Sequence, residues 1–182
     1  MLRVSTSLFA GSLAVLLSGC SFNLEAFFPP LPTVTEVDLT RYAGKWYEIA
    51  RYPNWFERGC SGVTAEYTLR DDGSVTVLNI CRTPDGAERS RIEGRATVEN
   101  TLEPGKLTVF FATAPFGAPY WILDLGGDYD YAVVGDPSRS FFWILSRTPT
   151  LDAGIYQSIL DQMPEWGYDP ARLETVPQPA GD

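Results

Sequence analysis

The sequence predicts an all-β fold: an eight-stranded up-and-down antiparallel β-barrel with one C-terminal α-helix packed outside. Three observations carry this. Short alternating segments recur at regular spacing, each bounded by glycine, proline or aspartate turns. The first begins Gly44-Lys45-Trp46, which sets a large ring on the inward side at the start of a strand. The last ends Trp143-Ile144-Leu145-Ser146-Arg147, and a guanidinium stacked on the Trp46 indole would tie it to the first and close the sheet.

Taken in order, Asp38 offers a cap for a brief turn of helix at 38–42. The first strand spans about 45–52 and leads into a long loop carrying Trp55 and Phe56. Strands at 63–70 and 74–81 form the clearest hairpin, joined by Asp71-Asp72-Gly73. With Arg70 opposite Ser74, one face collects Val63, Ala65, Tyr67 and Leu69 with Val75, Val77, Asn79 and Cys81. The other face, with Thr64, Glu66, Thr68 and Thr76, is mostly polar, so one side is wet and the other enclosed. Thr83-Pro84-Asp85-Gly86 turns into a strand at 89–99, with Ile92, Gly94, Ala96 and Val98 inward. Glycine and alanine on an inner face leave room for something else.

Glu103-Pro104-Gly105 leads to 106–111, and an apolar loop carrying Phe116 leads to 120–125. A strand at 129–135 follows Gly126-Gly127, and Asp136-Pro137-Ser138 turns into 141–147. These last strands are apolar on both faces, so something must cover their outside. Leu151, Ile155, Ile159 and Met163 recur at helical spacing, with Thr150 as the expected cap and Pro164 as the stop, and supply part of that cover. An extended stretch at 173–176 can pair along the first strand, and 177–182 reads as a loose tail.

The N-terminus holds Arg3, an apolar run at 8–17 and then Leu17-Ser18-Gly19-Cys20. A short positive segment, an apolar stretch too short to span a bilayer and small residues before a cut describe a secretory signal over 1–19. Small residues ending in cysteine resemble the bacterial lipobox, which implies that Cys20 is acylated; the alternative is an ordinary signal peptide with an incidental cysteine. Ser21 after Cys20 implies sorting to the outer membrane, with the chain anchored to the bilayer and not spanning it. Residues 20–37, with Phe27-Phe28-Pro29-Pro30, then read as the acylated terminus and a proline-rich tether to a single domain at 38–176.

A formal charge of −9 over 182 residues argues against nucleic acid and anionic headgroups as partners, so membrane attachment must come from the lipid anchor. The chain has no histidine, which removes the commonest general base and the usual metal ligand together. No metal or cofactor is expected. Cys60 and Cys81 remain, in an oxidising compartment, either bridged or as two thiols. In the hairpin register Cys81 stands across from Val63, so a bridge needs the chain to bend before that strand begins.

Alternation and hairpin register give an inner list of Tyr67, Asn79, Phe111, Tyr120, Ile122, Tyr131, Trp143 and Leu145. That lining suits an elongated lipophile with a polar end. A solid aromatic core fits it equally, and periodicity does not separate the two.

Gly44-x-Trp46, the late Arg147 and the phrases Trp46-Tyr47-Glu48-Ile49-Ala50-Arg51, Trp55-Phe56-Glu57-Arg58-Gly59 and Trp143-Ile144-Leu145-Ser146-Arg147-Thr148-Pro149 resemble the lipocalin family. The likeness is strongest to its bacterial outer-membrane branch, and Ala65-Glu66-Tyr67, Val77-Leu78-Asn79 and 118–123 are also similar to apolipoprotein D. In those relatives the positions matching Tyr67, Asn79, Phe111, Tyr120, Trp143 and Leu145 line the ligand cavity. The resemblance implies a fatty acid, lysophospholipid or similar small lipophile as ligand, stored or carried at the outer membrane of a Gram-negative cell for envelope maintenance. It also implies a homodimer, for which the outer faces of the last three strands are the candidate patch. Gly44, Trp46 and Arg147 are implied to be structural. The family's second motif is altered here to Gly127-Asp128-Tyr129-Asp130-Tyr131, so no role is carried over to that turn.

Two further readings stand beside this one. A lipocalin-type enzyme would need an activated cysteine or carboxylate in the cavity, with Cys81 the only candidate nucleophile, and a filled barrel would be a structural envelope protein. A transmembrane barrel is disfavoured, because Glu66, Thr68, Arg70 and Thr76 would face hydrocarbon.

Overall fold

The computed structural model describes residues 30–179; residues 1–19, expected to be a secretory signal, and Cys20, Phe27 and Phe28 lie outside them. A short helix, α1 (Leu39–Tyr42), precedes eight strands: β1 (Gly44–Arg51), β2 (Gly62–Leu69), β3 (Val75–Arg82), β4 (Glu88–Val98), β5 (Lys106–Phe111), β6 (Ala118–Leu125), β7 (Tyr131–Gly135) and β8 (Phe142–Ser146). Helix α2 (Ala153–Gln162) and a two-residue β9 (Glu174–Thr175) follow. Each strand pairs with the next in sequence, antiparallel throughout, and β1 pairs with both β2 and β8. The sheet therefore closes on itself and leaves no long free edge.

Local chemistry sets the ends of these elements. The Asp38 carboxylate accepts from the backbone N–H groups of Thr40 and Arg41 and starts α1 as expected. The β2–β3 hairpin has the predicted register, with the Arg70 N–H donating to Ser74 O at 2.9 Å and Val63 opposite Cys81. At α2 the cap is Asp152, not Thr150: Asp152 accepts from Gly154 N and Ile155 N. Thr150 instead offers its carbonyl to the Ser146 and Thr148 hydroxyls, and a carboxylate two residues on is the stronger acceptor at a helix start.

Two apolar clusters divide the molecule. One fills the barrel around Trp46, Tyr67, Val77, Val109, Ile122 and Leu145. The other lies between the outer wall and α2, where Phe142, Ile144, Val133 and Leu123 meet Ile159, Met163, Trp166 and Tyr168. Each such buried side chain contributes about 1.5–3 kcal/mol relative to exposure. This second cluster explains why β6 to β8 are apolar on both faces. It also covers the surface expected to form a dimer patch, so that patch is not free. Among the described residues the exposed large apolar side chains are Trp55, Phe56, Leu69, Ile92, Leu102, Phe110 and Phe116.

The chain outside the barrel is also held. Val34 N donates to Ile122 O and Leu31 is buried, so the stretch read as tether is docked by the time it reaches the barrel. β9 pairs with Ala50 and Arg51 of β1 as expected for the 173–176 stretch. Beyond it Val176 N donates to Ile49 O, and the Gln178 side-chain amide donates to Glu48 O at 2.6 Å and Val63 O at 3.3 Å. The β1–β2 ladder runs only from Gly44–Tyr67 to Tyr47–Thr64, so Gln178 bridges the two strands where they part.

Candidate functional site

One end of the barrel is shut by Arg147. Its guanidinium carbon lies 3.8 Å from the centre of the Trp46 ring. Its nitrogens donate to five carbonyls, those of Arg41, Tyr42, Ala43, Lys45 and Tyr129. The residue two before Trp46 must stay out of the way: Gly44 has φ +95°, and a Cβ there would come within 3.3 Å of Arg147 Nη1. Gly44, Trp46 and Arg147 thus form a structural lock. Tyr129, left without a role in the sequence, belongs to the same lock, since its hydroxyl accepts from Asp38 N and Arg41 stacks on its ring at 4.2 Å.

Above the lock the barrel is floored by tyrosine. The Tyr120 hydroxyl is hydrogen-bonded to Tyr42 at 2.7 Å and to Tyr67 at 2.8 Å, and the Tyr42 ring rests 4.9 Å from Trp46. Burial holds all three phenols well above their usual pKa, so they stay neutral. Ile122 and Leu145 are buried beside them. Of the expected lining, these four residues, Tyr67, Tyr120, Ile122 and Leu145, make the lower wall and floor. Ala65 sits opposite Trp46, and Phe111 lies over Gly94, where a Cβ would meet its ring at 2.7 Å. The small inner residues therefore make room for neighbouring aromatics.

The upper half differs. Asn79, Phe111 and Trp143 also face inward, yet each is only partly buried, and Ile92, directly across from Asn79, is 36 % exposed. These inward side chains thus touch solvent, unlike those around the tyrosine floor. The Cys60–Cys81 disulfide closes the rim on one side, with Cα atoms 5.3 Å apart. Bridged in this way, Cys81 has no thiolate to offer as a nucleophile. On the other side a row of rings runs from solvent to the inner wall: Trp55, 76 % exposed, meets Phe56 at 5.5 Å, Phe56 meets Phe141 at 5.8 Å, and Phe141 stacks on Trp143 at 5.8 Å.

Tyr131 does not belong to the lining. Leu145 stands opposite Ala132 and Trp143 opposite Val134, so the parity of β7 points Tyr131 outward, opposite Ser146. It packs in the outer cluster and donates to Asp124 Oδ2 at 3.0 Å. Burial and that carboxylate push its phenol up to about 12.

A polar group absent from the expected lining runs up the inner wall from Glu48 to the loop after β1. An irregularity between Glu48 and Ala50 shifts the parity of β1. Glu48, opposite Leu145, and Arg51, opposite Trp143, consequently both point inward. Arg51 Nη1 donates to Glu48 Oε1 at 2.7 Å, its Nε lies 3.7 Å from Glu57 Oε2, and its Nη2 donates to Glu57 O at 3.3 Å. Glu57 is held in turn by the Asn54 side-chain amide and by Trp143 Nε1 at 3.4 Å. Burial, then the Glu57 carboxylate, raise the Glu48 pKa well above the usual range although Arg51 opposes them. The donor to the buried Glu48 is therefore Arg51.

Comparison with known proteins agrees with this geometry. A lipocalin-like domain model matches residues 37–178. The chain is 40% identical over 166 residues to the outer membrane lipoprotein Blc of Vibrio cholerae, covering 91% of this chain and 94% of that one. It is 38% identical to Blc of Escherichia coli, covering 93% and 94%, and 34% identical to mouse apolipoprotein D, covering 96% of each. Among solved structures, insecticyanin from the tobacco hornworm superposes with a TM-score of 0.65 at 20% identity, covering 84% of this chain and 89% of that one. Lobster apocrustacyanin A1 does so at 0.62 and 21%, covering 82% and 91%, and both likenesses speak to the fold alone. The chain is a member of the lipocalin family, of the outer-membrane lipoprotein kind found in Gram-negative bacteria.

Proposed function

We propose that the protein binds one small lipophile in the upper half of the barrel. Cys20 is its lipid attachment to the outer membrane, with the domain facing the periplasm. The cargo is a fatty acid, lysophospholipid or similar acyl molecule, stored or carried for envelope maintenance. The observation that carries this is the contrast along the barrel axis: a floor of interlocked tyrosines below, and apolar inward side chains partly open to solvent above. Burying an acyl chain contributes ~0.8 kcal/mol per methylene. Ten methylenes gross roughly 8 kcal/mol by that coefficient before association costs, so the affinity rests on the chain more than on any single polar contact.

Binding is favoured over nucleophilic catalysis by Cys81, the one candidate nucleophile, because that cysteine is in a disulfide. Mass spectrometry of lipids extracted from protein purified out of its own envelope tests the reading. One acyl lipid per chain is expected. Protein that carries no lipid and takes up none when offered would favour the filled, structural barrel.

A further inference from the structure

The polar cluster on the inner wall bears on which acyl molecules fit. A guanidinium has five N–H donors. In Arg51 one is placed on Glu48 Oε1 and one on Glu57 O, while Nε is buried without a hydrogen-bond partner. Arg51 is 7 % exposed, and its direct neighbour across the ladder is Trp143, whose inner face borders the open half of the barrel. The cluster thus holds a buried N–H donor with no hydrogen-bond partner, on the inner wall beside Trp143. Its charge is already balanced against anions: one guanidinium is shared by two carboxyl groups, Glu48 and Glu57, in a site shielded from water. A third carboxylate brought to Arg51 would repel Glu57 and meet a cation already paired. A carbonyl oxygen carries no such penalty, and hydroxyl groups beside it could donate to Glu57.

We propose that Arg51, held between Glu48 and Glu57, receives the carbonyl end of an uncharged acyl ester such as a monoacylglycerol, and that the cluster discriminates against the free fatty-acid anion. This rests on the reading that the barrel holds an acyl chain, and narrows it. Arg51 supplies the donor, Glu57 the acceptor and the repulsion, and Trp143 fixes Glu57 through its indole N–H.

The test uses the folded chain with its disulfide intact, at neutral pH. The neutral dye N-phenyl-1-naphthylamine is bound, then displaced by 1-monododecanoylglycerol or by dodecanoate, which share one alkyl chain. The ester is expected to bind at least about tenfold tighter than the anion. In Glu57→Gln the anion should gain about tenfold while the ester changes less than about threefold, so the preference collapses. Arg51→Met should remove the ester's advantage; because it strands two buried acids it is open to misfolding, and the Glu57→Gln pair of measurements decides the matter without it. Equal affinities in the wild type, or Glu57→Gln moving both ligands alike, would overturn this inference alone. A dye that does not bind would overturn the acyl-binding reading together with it.

Discussion

Arg147→Met keeps most of the side-chain stem over Trp46 and removes the charge and every donor, so it isolates the lock at the closed end. The ring–cation contact at this half-buried position contributes about 1 kcal/mol. The carbonyls of Arg41 and Lys45 are bonded at exposed sites and recover water, and Tyr42 O keeps its bond from Trp46 Nε1 at 2.8 Å. Ala43 O and Tyr129 O, bonded at part-buried sites, lose a charged donor, at about 1.5 kcal/mol each. The sum is about 4 kcal/mol, or a fall in Tm of roughly 10 °C for a domain of this size. Urea unfolding followed by tryptophan emission, with the slope m unchanged, reads this directly. Arg147→Lys should recover less than half, because an ammonium cannot lie flat on the indole and reach carbonyls on both sides. A methionine variant within about 1 kcal/mol of the wild type would refute the claim that this arginine closes the barrel.

Replacing both Cys60 and Cys81 by serine opens a loop of 21 residues' separation and should lower stability by about 3 kcal/mol, seen as a matching shift between oxidised and reduced wild type; a shift below about 1 kcal/mol would mean the rim is held without the bridge. Glu48 has a folded-state pKa raised by burial and Glu57, so the folded state holds its proton more tightly than the unfolded chain. The stability it contributes is full below the unfolded carboxylate pKa and is lost as pH rises through the folded value. Glu48→Gln, which can still accept from Arg51, should therefore flatten the decline in stability from mildly acidic to alkaline pH, and an unchanged profile would count against the raised Glu48 pKa. Truncation after Val176 removes the Gln178 bridge between Glu48 O and Val63 O and should cost about 1–2 kcal/mol, with faster amide exchange at the open ends of β1 and β2; unaltered exchange would show that the seam holds without the tail.

What could be read from the sequence follows from where one physical signal dominated. The Asp71-Asp72-Gly73 turn fixes its hairpin, and with it the inward faces of β2 and β3, because loop length and alternation agree there. Trp46 and Arg147 were legible as a pair because the stacking of a guanidinium on an indole needs no knowledge of the strands between them. Tyr131 was misplaced because Tyr131-Ala132-Val133-Val134 is apolar at every position, one face covered by the barrel interior and the other by α2. Alternation carries no parity in such a strand, and only pairing with β8 supplies it. The Glu48–Arg51–Glu57 cluster stayed hidden for a related reason. A bulge turns a spacing of three into two inward side chains, whereas unbroken alternation from Trp46 would send Arg51 outward. Glu57 is on a loop with no period at all; the one sequence signal was the run of charged residues, Glu48, Arg51 and Glu57, around an otherwise aromatic mouth.

The position of the cargo above the tyrosine floor is most directly tested by quenching with an acyl chain brominated beside its polar end. Titrating it into the folded protein should give saturable, one-to-one loss of the Trp143 emission, and Trp143→Phe should remove that component while the buried Trp46 stays bright beneath Tyr42 and Tyr67. Quenching that is absent, or that is the same in Trp143→Phe as in the wild type, would contradict a ligand in the upper half of the barrel.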